Sequence, residues 1–329
     1  MCKKPRGVDV FSSSVEVTRS KGSARTGLAV AIGNFDGVHR GHYRIFEALA
    51  SAAKHAGVPA AVLTFDPHPA RVLSPHLAPP LIVSKERKLE LLAAAGIEMV
   101  IVEPFSRELA ARSPEEFVRG ILVEDLGARH VCVGYDFTFG HQRSGNTSTL
   151  AQLGWQHGFG VTIVPQFCHD GIVCSSTKVR EFVLEGRMEG AALVLGRPFE
   201  LRGTVERGAG RGRTIGVPTA NVALDGELLP RAGVYGAVAF PEGRKGPCVE
   251  AVVNVGTAPT FTGGSAAVTV EAHLLDYSGD LYGRPLALDF LFRIRDERRF
   301  PKVEALVQQI ADDIALARAR FAAAAQGAR

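Results

Sequence analysis

Two imidazoles stand three residues apart in the run Gly33-Asn34-Phe35-Asp36-Gly37-Val38-His39-Arg40-Gly41-His42. The glycines permit a tight turn and let backbone N–H groups approach a polyphosphate. A helical pattern opens at the same place, so its positive end faces the same anion. His39 and His42 then share one side of the first helical turn. In an in-line attack on an α-phosphate, negative charge builds on the phosphoryl oxygens, and imidazole and main-chain donors stabilise it. An HxxH spacing alone also suits a loop with two surface histidines or a metal site. The preceding strand and the Phe-Asp-Gly triplet favour the phosphate reading.

Cys174-Ser175-Ser176-Thr177-Lys178-Val179-Arg180 puts three hydroxyls at a helix start with an arginine beyond them. Such a group either caps the helix or, with Ser176, Thr177 and Arg180, binds the outer phosphates and the departing pyrophosphate. A third set follows Gly208: Gly210-Arg211-Gly212-Arg213-Thr214-Ile215-Gly216-Val217-Pro218-Thr219-Ala220-Asn221. A glycine–arginine loop can fold over a polyphosphate, or be no more than a hairpin. It lacks the GxxxxGK[ST] pattern of a P-loop. Thr219 and Asn221 offer uncharged oxygens on one side of an extended segment, which suits Mg²⁺ that takes the rest of its shell from phosphates and water. Glu271 lies in a strand among apolar neighbours. It is either an exposed strand residue or a carboxylate able to accept a hydroxyl proton.

The elements that must carry these groups are legible from periodicity. Short apolar runs at 28–33, 60–64, 99–102, 130–134 and 161–164 alternate with helical patterns at 41–56, 85–95 and 114–122. That rhythm is the signature of a parallel α/β sheet covered on both faces. After about residue 186, glycine-rich alternating strands take over at 199–206, 233–240, 249–255, 267–275 and 286–293, as in an antiparallel barrel or sandwich. One long amphipathic helix is expected over 301–321, with Leu306, Ile310, Ile314 and Ala317 on its apolar face. Another, over 178–195, spans the change of rhythm. The division is then 1–27 as a mostly loose extension, 28–186 as the α/β domain and 187–329 as the barrel domain. The 329 residues carry 38 basic and 34 acidic side chains, a balance that suits phosphorylated substrates as well as nucleic acid. With one Trp and five Tyr, the aromatic stripes of an RNA binder are not evident. No uncharged apolar run reaches the ~18 residues of a membrane helix. Five scattered cysteines without a CxxC spacing indicate a reducing compartment.

The first two sets resemble the HxGH nucleotidyltransferase superfamily. The match narrows with Thr64-Phe65-Asp66-Pro67-His68-Pro69 and Val133-Gly134-Tyr135-Asp136-Phe137-Thr138-Phe139-Gly140, which occur in order between them. Residues 27–195 resemble the N-terminal module of prokaryotic bifunctional riboflavin kinase/FAD synthetases. The resemblance implies a Rossmann-like fold and adenylyl transfer from ATP to FMN. It implies Gly33, Phe35, Asp36, His39, His42, Ser176, Thr177 and Arg180 for ATP, Asp66 and His68 for the flavin, and Asp136 for the flavin or the metal. Lys178 stands where the family often has Arg. From about residue 196, the blocks GRPF, GRTIGVPTAN, GVYGAVA, NVGTAPTF, VEAHLLDYSGDLYG and FRIRDERRF occur in the order of the riboflavin kinase module. This second resemblance implies a Greek-key β-barrel with a terminal helix. It implies that Gly208, Gly210, Gly212, Gly216 and Pro218 line ATP, that Thr219 and Asn221 hold Mg²⁺, and that Glu271 is the base on the riboflavin 5′-hydroxyl. Arg295, Asp296, Glu297 and Phe300 fall on the flavin side. Ala258 stands where many relatives have Arg. The expected enzyme turns riboflavin into FMN and FMN into FAD, with ATP and Mg²⁺. Its partners are small molecules, with no nucleic acid and no membrane, and it is a cytoplasmic monomer or transient oligomer. The alternatives are a relative with one activity and a non-catalytic flavin-binding protein.

Overall fold

The α/β rhythm of the first half becomes a single parallel sheet in the computed structural model, which describes residues 8–21, 27–207, 216–224, 228–244, 246–258 and 267–327. By its contacts the chain forms two units, Met1–Ser176 and Thr177–Arg329. The first unit runs β1 (Asp9–Phe11), α1 (Ser14–Lys21), β2 (Leu28–Ile32), α2 (Arg40–Ala56), β3 (Ala60–Asp66), α3 (Pro69–Leu73), α4 (Lys85–Ala94) and β4 (Met99–Pro104). It continues with α5 (Arg107–Ala110), α6 (Pro114–Phe117), β5 (Ala128–Gly134), α7 (Thr147–His157), β6 (Gly160–Val164) and a small hairpin of β7 (Cys168–His169) and β8 (Ile172–Val173).

Six parallel strands lie in the order β1-β4-β3-β2-β5-β6. Central β2 is buried throughout and alternates between two apolar layers. Leu28, Val30 and Ile32 pack with Leu63, Val131 and Ile121, while Ala29 and Ala31 pack with Phe46, Leu49 and Leu92. Because alanines face α2, that helix sits close to the strand. The chain winds from β2 through β3 to β4 on one side, then returns to β5 on the other. The winding reverses between β2 and β5, and ligands of such sheets bind beyond the strand C-termini at that point. Ser113 caps α6 as expected, accepting from Glu116 N–H while the Glu116 carboxylate accepts from Ser113 N–H. The helix then widens into a π-helical stretch over Val118–Asp125.

The second unit contains α8 (Ser176–Glu185, whose first residue belongs to the first unit), α9 (Met188–Leu195), β9 (Phe199–Glu206), β10 (Ala220–Leu224), β11 (Gly233–Phe240), β12 (Val249–Ala258), β13 (Ala267–Leu274), β14 (Pro285–Arg295) and α10 (Val303–Gly327). The strands close into an antiparallel barrel in the order β10-β13-β12-β11-β14-β9. A β-carbon on Gly203 of β9 would stand 2.0 Å from the Ala223 carbonyl of β10, so glycine is what lets these strands approach. Helix α10 lays Ala317 and Phe321 on Leu275 and Phe292.

Three expectations are corrected. The stretch expected as a loose extension is ordered over residues 8–21. There β1 pairs with β4, Val17 of α1 is buried, and Ser14 donates to the Glu103 and Asp125 carboxylates at 2.6 and 2.7 Å. The helix expected over 178–195 is two helices. Gly186 turns between them with φ of 77°, where a β-carbon would strike Arg293 and the Tyr235 hydroxyl. Residues 220–224, absent from the expected strands, form a barrel strand. Gly208, Gly210 and Gly212 lie outside the described residues.

Candidate active sites

The imidazole turn lies at the C-terminal end of β2, where the sheet reverses. Gly33 N–H donates to the Leu63 carbonyl at 3.1 Å, continuing the β2–β3 pairing. The chain then leaves the sheet through Phe35, Gly37 and Val38, all with positive φ (49°, 82° and 43°). Left-handed backbone at Phe and Val is strained, and here it is held by packing: both side chains are fully buried. The Asp36 carboxylate accepts from Ile82 N–H at 3.1 and 3.2 Å, fixing the centre of the turn. His39 caps α2, and His42 Nδ1 accepts its backbone N–H at 3.2 Å. An accepting Nδ1 leaves the ring proton on Nε2 in the neutral tautomer. The two imidazoles stack with centroids 3.6 Å apart, and Phe35 meets His42 edge-on at 5.2 Å. Gly41 has no room for a side chain, since a β-carbon would stand 2.8 Å from the Cys174 carbonyl and 3.1 Å from the His39 ring. Ser176 Oγ donates to the Asp36 carbonyl at 2.8 Å, so the serine-bearing segment braces the same turn. Thr177 is exposed and Arg180 half-buried on α8.

The expected flavin-side residues of this unit occupy the neighbouring strand ends. Asp66 closes β3 and is paired with Lys85 at 2.7 Å. His68 caps α3, its Nδ1 accepting from Ala70 N–H at 3.2 Å. Asp136 is exposed just beyond β5, its carboxylate 3.2 Å from where a Gly134 β-carbon would stand. Lys88 of α4 was not singled out in the sequence. Its ammonium donates to Asn34 O at 3.2 Å and to Thr64 Oγ1 at 3.1 Å. The one sequence signal is a lysine set in the buried Leu89-Leu91-Leu92 stretch of an amphipathic helix.

In the barrel, register assembles the second set. Asn221 of β10 and Asn254 of β12 stand directly opposite Glu271 of β13, on either side of it. Directly paired residues share one face, so a carboxylate lies between two amides. Glu206 of β9 is the other partner of Asn221. Thr219 immediately precedes β10, and Gly216 and Pro218 lead into it. His273, two residues beyond Glu271 on the same face, donates from Nδ1 to the Pro218 carbonyl at 2.8 Å and so anchors the Pro-Thr-Ala-Asn segment. His273 too went unnoticed in the sequence, although the spacing from Glu271 points to it.

The segment 295–300 has a different role for each residue. Arg295 binds Asp313 of α10 through bonds of 2.8 to 3.0 Å, donates to Asp296 O at 2.9 Å and lies over Phe300. The Asp296 carboxylate accepts from Arg293 at 2.6 Å, which holds it below the usual carboxylate range. The Glu297 carboxylate and the Asn254 side-chain amide both lie close to Gly256, and Asn254 is the strand partner of Glu271. A divalent cation could be held by Thr219 and Asn221, and Glu206 and Glu271 are the strand partners of the latter. Among the described residues no three His, Cys, Asp or Glu side chains converge as a metal cluster. Neutral oxygens suit Mg²⁺ that arrives with a nucleotide's phosphates.

Comparison with known proteins agrees with this division. A family model described as FAD synthetase matches residues 21–178, and one described as riboflavin kinase matches residues 195–321. The chain is 37% identical over 295 residues to the bifunctional riboflavin kinase/FMN adenylyltransferase of Escherichia coli K12, covering 90% of this chain and 93% of that one. It is 39% identical over 299 residues to the enzyme of the same description from Pseudomonas fluorescens, covering 91% and 94%. A crystal structure described as a macrolide-efflux protein from Streptococcus pneumoniae superposes with a TM-score of 0.82 at 28% identity, covering 95% of this chain and 99% of that one. Among the described residues, no helix is long and apolar enough to cross a membrane. With relatives this similar along almost their whole length, the chain belongs to the family of bifunctional riboflavin kinase/FMN adenylyltransferases.

Proposed function

We propose that the second unit transfers the γ-phosphoryl group of ATP to riboflavin, giving FMN and ADP, and that the first transfers AMP from ATP to FMN, giving FAD and pyrophosphate. The observation that carries this reading is the different chemistry of the two residue sets. An alcohol nucleophile must lose a proton, and the barrel presents a carboxylate, Glu271, between two amides. A phosphate nucleophile is already anionic, and the sheet presents stacked imidazoles and a helix N-terminus, with the Asp36 carboxylate of the same turn engaged by Ile82 N–H.

In the kinase step Glu271 takes the 5′-hydroxyl proton as the oxygen attacks the γ-phosphorus. Thr219 and Asn221 would hold Mg²⁺, which would neutralise phosphate charge. Arg295, Asp296, Glu297 and Phe300 bound the flavin. In the adenylylation step the FMN phosphate oxygen attacks the α-phosphorus, and the bond to the departing pyrophosphate breaks. His39 and His42 donate to the α-phosphate oxygens, while Gly33, Phe35 and Asp36 shape the turn around ATP. Ser176, Thr177 and Arg180 receive the pyrophosphate, and Asp66, His68 and Asp136 place the flavin. Unpaired thiols at Cys132, Cys168, Cys174 and Cys248 fit a cytoplasmic enzyme.

The test is to incubate the full chain with riboflavin, ATP and Mg²⁺ and to follow both products. Glu271→Gln is expected to slow FMN formation by ~10²–10⁴-fold while leaving FAD formation from supplied FMN intact. His39→Ala is expected to slow FAD formation by ~10²-fold or more and to spare FMN formation. Loss of both activities in either folded variant would refute the separate assignment.

A further inference from the structure

Helix α4 begins beside the adenylylation turn, and four of its contacts converge there. Ile82 N–H, just before the helix, donates to the Asp36 carboxylate. Lys85 pairs with Asp66 at the end of β3. One turn later, Lys88 Nζ donates to Asn34 O at 3.2 Å and to Thr64 Oγ1 at 3.1 Å, and Thr64 Oγ1 in turn donates to Asn34 O at 3.1 Å. Asn34 immediately precedes Phe35, the first left-handed residue of the turn. Burial lowers the pKa of Lys88, and attraction to Asp36 and Asp66 opposes that shift. A desolvated ammonium is a cost to the fold that an apolar residue in a helix flanked by Leu89 and Leu92 would not incur.

We propose that Lys88 is a positioning residue for adenylyl transfer, its ammonium holding the Asn34 carbonyl and the end of β3 so that the His39–His42 helix start meets the α-phosphate. The proposal rests on reading the first unit as the adenylylation site. The charged groups facing Lys88 are Asp36 on the turn after β2, Asp66 on β3 and Lys85 on its own helix.

The test uses the full chain carrying Lys88→Met or Lys88→Arg. FAD formation from supplied FMN is measured with ATP varied, together with riboflavin phosphorylation and thermal melting of the same preparations. Lys88→Met is expected to raise KM for ATP and lower kcat, with kcat/KM down by ~10-fold or more. FMN formation in the second unit should stay within about twofold of the parent. The melting temperature should not fall. A folded-state pKa below the ordinary 10.5 means that the unfolded chain binds the proton more tightly, so the charge destabilises the fold at neutral pH, and stability rises as pH passes up through that window. Lys88→Arg keeps the charge at every working pH. It is expected to recover part of the lost kcat/KM and to lack the alkaline decline expected of the parent as Lys88 loses its proton. The proposal is overturned if Lys88→Met has the parent's kcat and KM for ATP, or if it loses both activities with a lowered melting temperature. If His39→Ala leaves FAD formation untouched in the same assay, the site assignment fails instead.

Discussion

His273 acts through its neighbours: its ring holds Pro218 O, and Pro218 leads directly to Thr219 and Asn221. Removing one such bond costs about 1 kcal/mol. His273→Ala is therefore expected to raise KM for ATP in the riboflavin phosphorylation assay by ~5-fold with little change in kcat and none in FAD formation. An unchanged KM would mean that the segment is held by other contacts. Residues of this kind are the hardest to read from sequence. His39, His42, Thr219 and Asn221 stand out by type and spacing, whereas the base role of Glu271 comes from the resemblance to the riboflavin kinase module. Lys88 and His273 act on backbone carbonyls, and a carbonyl carries no side-chain signature to search for. Gly41 is intermediate: the motif marks it, but only the Cys174 carbonyl on the hairpin explains why no larger residue fits.

Helix α10 was legible as an amphipathic stretch, and Ala317 falls on its buried face as the spacing predicts. Asp313 lies on that face too, buried, and the apolar pattern gives no warning of it. It is there because Arg295, at the end of β14, meets it through both ends of its guanidinium. Asp313→Asn leaves the arginine charge without a carboxylate and is expected to lower the stability of the barrel by ~3 kcal/mol, read from thermal melting, with loss of riboflavin phosphorylation as residues 295–300 come free. The double variant Arg295→Met with Asp313→Leu should regain most of that stability, since an apolar pair of similar volume avoids the desolvation cost. Failure to regain it would show that the pair does more than satisfy itself. The other misread elements have local causes. The single helix expected over 178–195 is divided by Gly186, which periodicity passes over but φ of 77° does not. Strand β10 is hard to see in the sequence because its five residues directly follow a glycine-rich run. The first strand and helix were hidden by serines and lysines, although Val17 is packed into the sheet's core.

At the scale of the whole molecule, the imidazole turn belongs to one unit and the Thr/Asn/Glu set to the other. A chain with only one working site should therefore complement a chain with only the other. Mixing Glu271→Gln with His39→Ala protein, and supplying riboflavin and ATP, is expected to yield FAD after a lag in which free FMN accumulates. No FAD from the mixture, with each variant active in its own remaining step, would mean that FMN does not pass through solvent. The order of events during synthesis follows from the brace at Ser176 and Cys174. The turn bearing the histidines is made early, but the hydroxyl and carbonyl that press on it lie more than a hundred residues downstream. A nascent chain therefore lacks the brace on the histidine-bearing turn until Ser176 has been translated.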